Sequence, residues 1–242
     1  MNPRRSITKQ VHARLEREPR INIHRHPIEI RHADGGAVVL EGEVPDVAAK
    51  KLALEIAGSV RGVDGIVDRL RVAPGEVRGD GAVRDSLARM LLEHQEFRNC
   101  TLRSVTNERR ETLRAAQADA VGEIEIEVTD GVIVLEGHVI SQSHKRFAGV
   151  LAWWTPGRRD VVNSLEVRPG YEDRDEEVAE VLALVLEADP LLDATQVRPS
   201  CTGRTVVLEG SVPSAEQKAR AELDAWALFG VERVVNRLQV TD

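Results

Sequence analysis

Apolar residues along the chain recur in three rounds of one order: four-residue spacing, alternation, four-residue spacing, alternation. In the first round Ile7, Val11 and Leu15 are spaced as one face of a helix, with Ser6 placed as its N-cap and Pro19 as its stop. Ile28 and Ile30 predict a strand. A turn at Asp34-Gly35-Gly36 returns the chain into a second strand at Val38-Val39-Leu40, a hairpin pattern. Asp46 then caps a helix over residues 47–59, Gly62 breaks it, and residues 66–72 form a third strand. The third round repeats this plan. Asp175 precedes a helix carrying Val178, Val181, Leu182, Val185 and Leu186, which Pro190 ends. Ser214 and Gln217 form a capping box before the second helix. Pro199 lies between Val197 and Cys201 and cannot donate to a sheet ladder, so that strand is expected at a sheet edge.

Two short phrases mark each round. Val38-Val39-Leu40-Glu41-Gly42, Ile133-Val134-Leu135-Glu136-Gly137 and Val206-Val207-Leu208-Glu209-Gly210 form the first. Gly62, Gly157 and Gly230 open the second, each 20 residues after the first glycine. A spacing shared by three copies indicates a repeated folding unit. The expected fold is α+β: three tandem αββαβ domains, each a small three-stranded sheet packed by two helices. Their expected limits are residues 1–73, 80–169 and 172–242, joined by Ala73-Pro74-Gly75 and Arg168-Pro169-Gly170.

The middle round departs from the plan. Its first helix carries Val83, Leu87, Met90 and Leu91, and its first strand alternates as Ile124, Ile126 and Val128. Residues 99–122 are an insertion with Arg109, Arg110, Glu111 and Arg114 at its centre. Residues 111–120 have helical composition, and an ordered helix and a mobile loop are the two alternatives.

Several residues recur at matched offsets from the first glycine, namely the caps Asp46, Ser141 and Ser214, the lysines Lys50, Lys145 and Lys218, and two alanines per copy. The alanines (Ala53 and Ala57, Ala148 and Ala152, Ala221 and Ala225) lie four apart and let a helix approach its sheet closely. The lysine stems can cover apolar surface while their ammonium groups reach water. Glu41, Glu136 and Glu209 could pair with these lysines, stand exposed, or line a cation site. What differs is more telling. Phe147, Leu151 and Trp154 form a stripe beside the alanine face in the second copy. Leu52, Ile56 and Ser59 match them in the first copy, and Arg220, Asp224 and Ala227, which read as exposed, match them in the third. The stripe requires cover from the insertion, a neighbouring domain, a partner or a lipid. Trp154 is the leading contact candidate should that cover be external. Trp153 matches Trp226, which points to a shared structural role.

Composition is that of a soluble globular protein, with 30% charged, 42% hydrophobic and 3% aromatic residues. No run approaches the roughly 20 apolar residues of a membrane span. The N-terminal basic residues have no apolar segment behind them, so the expectation is a cytoplasmic chain, peripheral to a membrane at most. Cys100 and Cys201 lie in different copies and are not expected to pair. The net charge of −7 hides an asymmetry, with eight basic against three acidic side chains in residues 1–31 and seven against fifteen in 172–242. The basic end, with Arg4, Arg5, Arg14 and Arg17, suits an anionic phospholipid surface, a protein partner, or the acidic end of another copy in head-to-tail self-association. Phosphate loop, HExxH, CxxC and nucleophile motifs are lacking, so neither a catalytic residue nor a cofactor is expected. His24, His26 and His32 share a strand face that Pro27 interrupts, which disfavours a metal site. Scarce aromatics and negative charge disfavour nucleic acid.

The two phrases together resemble the BON domain, the bacterial osmotically-inducible-and-nodulation domain. The resemblance rests on the helix ending at Pro19 or Pro190, residues 131–137, the capped helix, and residues 230–240. It covers nearly the whole chain as three copies. It implies an αββαβ sandwich and a non-enzymatic binding role associated with phospholipid or membrane-surface attachment, envelope stress and pore-forming partners. Most multi-copy members look periplasmic, and a cytoplasmic relative binds potassium. The resulting expectation is a stress-related adaptor of three BON domains. A small-ligand or cation sensor and a self-assembling scaffold are the alternatives.

Overall fold

The computed structural model describes residues 3–117, 120, 122–168 and 175–241. It divides into two compact units, Met1–Ala73 and Pro74–Asp242.

The first unit runs α1 (Pro3–Leu15), β1 (Ile28–His32), β2 (Ala37–Val44), α2 (Val47–Gly58) and β3 (Gly65–Val72). The first helix begins at a proline, whose fixed φ suits a first helical turn. Ser6 therefore lies inside α1 and is not its cap. β1 and β2 pair antiparallel with Ile30 opposite Leu40. β2 and β3 pair parallel with Val39 opposite Val67, and α2 is the crossover that parallel pairing demands. The Asp46 side chain accepts from the Ala49 N–H at 2.8 Å and starts α2. Val11, Leu15, Leu40, Ala53, Ala57 and Leu70 are fully buried between the helices and the sheet.

The second unit holds two sheets. Its elements are α3 (Asp80–Glu93), a 3-10 turn at Gln95–Phe97, β4 (Cys100–Thr106), β5 (Arg109–Arg114), β6 (Gly122–Thr129), β7 (Val132–Val139), α4 (Gln142–Trp154), β8 (Asp160–Asn163) and β9 (Glu166–Val167), then α5 (Asp175–Ala188), β10 (Val197–Thr202), β11 (Thr205–Val212), α6 (Ala215–Ala227), β12 (Arg233–Asn236) and β13 (Gln239–Val240). The third copy keeps the plain plan, in the order β10-β11-β12 with β13 also on β11. Pro199 sits in edge strand β10 opposite Leu208, as a residue without an N–H must.

The second copy corrects the expected three strands. Its sheet has six, in the order β5-β4-β6-β7-β8 with β9 also on β7. The insertion is neither helix nor loop here but a hairpin that widens the sheet. Cys100, Leu102 and Ser104 alternate inward and are buried, and β4 runs parallel to β6 with Leu102 opposite Ile124. Asn107 and Glu108 both take left-handed φ values, 49° and 64°, the two-residue turn that matches strand twist. Arg103 pairs with Glu123 and Glu125 across the outer face of the sheet. Of residues 111–120, the first four are strand, and 118 and 119 lie outside the described residues.

The glycine of the first phrase has a steric cause. Gly42, Gly137 and Gly210 have φ of 149°, 112° and 114°. A Cβ there would stand 2.5, 2.2 and 1.8 Å from the carbonyl oxygens of Pro27, Glu123 and Gln196 at the entry of the paired strand. Gly210→Ala should therefore cost at least about 3 kcal/mol. Gly203→Ala, at φ 53° with no atom within 4 Å of the added carbon, should cost only about 1 kcal/mol. Urea unfolding of the two variants checks the difference.

Candidate functional site

Helix α4 is the centre of the second unit. Its alanines Ala148 and Ala152 are fully buried, and α3, α5 and α6 all pack against it. Phe147 is 4% exposed and Leu151 is fully buried. The Phe147 ring stacks on Phe97 at 5.9 Å and meets the edge of His94 at 4.8 Å. The turn after α3 and the third copy thus supply the cover that the stripe requires. Phe147 and Leu151 belong to the interior and present no free surface. Trp154 is half-buried, and its indole Nε1 donates to Asp224 Oδ1 at 2.7 Å.

Asp224 and Ala227 correct a second expectation. They are 3% and 6% exposed. Their positions on α6 match the stripe on α4 because the two flanks form one seam between the copies. Trp226 is buried, whereas its counterpart Trp153 is half-buried under the Arg158 guanidinium, 5.8 Å from the ring centroid.

The seam is rich in charge. Arg146 is fully buried and donates from Nε to the Phe229 carbonyl at 3.1 Å. The Lys145 ammonium stands 4.8 Å from the Phe229 ring centroid, and burial lowers its pKa. Asp189, 1% exposed, accepts from the Leu191 N–H at 2.9 Å and pairs with Arg220 Nε. Burial pushes the Asp224 carboxyl up to about 7. The Asp189 charge adds to that shift, while the Trp154 hydrogen bond and the Arg220 charge oppose it. Burial, and then the nearby Arg220 charge, lowers the Arg158 pKa. At the other end of α4, burial lowers the His144 pKa, opposed by the Glu96 carbonyl and carboxylate. His144 Nδ1 lies 2.8 Å from Ser141 Oγ, and the same oxygen accepts the His144 N–H as the helix cap.

The first unit carries the basic candidates. Arg4 and Arg5 lie in the first turns of α1, and their side chains are outside the described residues. Lys9, His12 and Arg14 are exposed along α1, and Arg17 is exposed in the turn after it. Arg14 Nη1 donates to Ser59 Oγ at 2.9 Å. Arg14, Arg17, Glu18, Ile56 and Ser59 line a shallow depression of about 250 Å³ between α1 and the end of α2. Ile56 and Ser59 occupy the positions that match Leu151 and Trp154. The helix flank that the second copy buries against the third is therefore a cation-rimmed groove in the first.

The repeated lysines and glutamates settle into separate roles. Lys50 Nζ donates to the Leu70 carbonyl at 2.7 Å and pairs with Asp68 at 2.9 Å; Lys218 Nζ donates to the Leu238 carbonyl at 2.5 Å. These ammonium groups tie the helix to the last segment of each copy, with Lys50 buried and Lys218 half-buried. Glu41 pairs with Arg31 and Arg69, and Glu209 with Arg237 at 3.1 Å, so arginines and not the lysines are their partners. Among the described residues no group of three or more His, Cys, Asp and Glu is placed to hold a metal ion. His24 meets Glu16 at 3.6 Å and His32 Nδ1 its neighbouring Ala33 carbonyl at 2.8 Å, so the histidines do not converge.

Three mixed sheets backed by helices, with a seam built for packing, define a class of small α+β modules. The family model of the BON domain matches residues 4–74, 104–169 and 174–242, and the chain belongs to that family as three tandem copies. No curated protein matches the chain. Two solved structures of CdsD, a structural protein of the type III secretion system of Chlamydia trachomatis, are similar at 15% identity and TM-score 0.25. They cover 97% and 98% of this chain and 96% and 92% of their own.

Two outcomes test the seam. Arg146→Ala should destabilise the second unit by about 3 kcal/mol, because a buried charge-assisted contact and its packing are both lost. Arg14→Ala on the surface of the first unit should cost under about 1 kcal/mol; urea titration separates the two. For His144, a depressed folded pKa means stability is complete above the ordinary value of 6.5 and falls as pH drops below it. His144→Gln should flatten that acid-side loss in a series of thermal melts.

Proposed function

We propose that the protein is a non-enzymatic adaptor whose first BON copy attaches to an anionic membrane surface through α1. The observation that carries this reading is the exposed pair Arg14 and Arg17 at the rim of the open groove lined by Ile56, with Lys9 exposed on the same helix as Arg14. A cationic helix with adjoining apolar surface gains from both headgroup charge and shallow burial. No helix among the described residues is long and apolar enough to cross a membrane, so the attachment invoked is peripheral. The second and third copies, joined through the α4–α6 seam, serve as the rigid part that a protein partner engages in a stress-related role.

The protein should pellet with phosphatidylglycerol vesicles at low salt. Binding should be lost near 1 M salt, where the screening length is about 3 Å. Arg14→Glu with Arg17→Glu should weaken binding by at least about thirtyfold, given roughly 1 kcal/mol per basic residue at such a surface. Failure to pellet at low salt removes the membrane reading. A doubled mass by light scattering at low salt, in the same samples, would instead assign the anionic partner to the acidic third copy of another chain.

A further inference from the structure

Asp224 and Asp189 stand out among the described residues as two interacting buried carboxyl groups, of which Asp189 pairs with Arg220. They come from different elements of the third copy: α6 and the residue after α5. Both are within 3% of full burial. At Asp189, Arg220 holds one oxygen and the Leu191 N–H donates to the other. Asp224 Oδ1 takes the Trp154 indole N–H. Asp224 Oδ2 is buried with no donor offered to it, and its neighbour is Asp189. A buried carboxyl oxygen with no donor, beside a second buried carboxyl group, is satisfied by one proton held between the two.

The other charged groups around the seam do not neutralise Asp224. Arg220, on the same helix, is bound to Asp189. Arg158, from the turn after α4, lies over Trp153. Arg146, further along α4, is directed at the Phe229 carbonyl. From α4 itself the contact with Asp224 is the neutral indole of Trp154.

We propose that the proton shared by Asp224 and Asp189 is a latch between the second and third BON copies, closing the α4–α6 seam when present and loosening it when lost. The proton moves from Asp224 Oδ2 to solvent as the seam opens, and both carboxylates then become hydrated. The direction follows from linkage. The closed seam holds the proton up to about pH 7, whereas a hydrated aspartate loses it near its ordinary 3.8. Closure is therefore most favoured below that ordinary value. It weakens as pH rises towards 7 and changes no further above 7.

The test is hydrogen exchange of the full chain, read by mass spectrometry on peptides from α4 and α6 and corrected for the intrinsic pH dependence of exchange. Protection of these peptides should fall by up to about tenfold per pH unit between about pH 4 and pH 7, then level off. Peptides of the first unit should not follow. Asp224→Asn keeps an oxygen for Trp154 and offers an N–H to Asp189, so it should be protected at every pH with no such slope. Asp189→Asn removes the opposing charge and should shift the fall towards lower pH. A pH-independent wild type would overturn the proposal, as would an unchanged slope in Asp224→Asn. Should that variant prove unfolded, the Asp189→Asn displacement alone decides, and its absence overturns the latch equally.

Discussion

Each copy depends on one contact: two alanines, four residues apart, laid flat on the sheet. Ala53 and Ala57, Ala148 and Ala152, and Ala221 and Ala225 are all fully buried. Small side chains bring the helix axis close to the strands. That closeness lets Lys50 and Lys218 reach carbonyls on the last segment of each copy. It also fixes the crossover between parallel strands. Two residues before the end of the preceding strand, a glycine admits the facing carbonyl of the antiparallel neighbour. With these positions fixed, the freely variable part of the copy is the flank of its second helix.

The three copies use that freedom in two ways. In the second and third, the flanks carry Leu151, Trp154, Asp224 and Arg146 and close on one another within a single compact unit. A buried seam containing arginine and carboxyl groups is poorly suited to gaining stability, because desolvation opposes each ion. Its groups instead demand particular partners, such as Trp154 for Asp224 and the Phe229 carbonyl for Arg146. In the first copy the same flank stays open, with Arg14 and Arg17 at its rim. One fold thus yields a fused pair and a separate basic module.

The repeat, the second-helix caps Asp46, Ser141 and Ser214, the alanine faces and the edge position of Pro199 were legible in the sequence, because each follows from local spacing or from a missing N–H. The hairpin β4–β5 was not. Its outer strand, with Arg109, Arg110 and Glu111, carries the charge that edge strands use to avoid further pairing, and such charge also suits a helix. Ser104 takes an inward position that alternation reserves for an apolar residue, and the turn at Asn107-Glu108 lacks the usual glycine. The seam was half legible. Phe147 and Leu151 announced a face that needed cover, but Asp224 read as solvent-facing, since a polar residue buried between copies has no signature within its own copy. The lysines misled for a related reason: the carbonyls they serve lie 20 residues away in sequence.

The central claim is that attachment belongs to the open first copy and that the fused pair does not take part in it. Hydrogen exchange of the intact chain with and without anionic vesicles tests this most directly. The account predicts added protection in α1 and the end of α2, with α4 and α6 unchanged. Protection that appears in α4 or α6 while α1 is unaffected would contradict it.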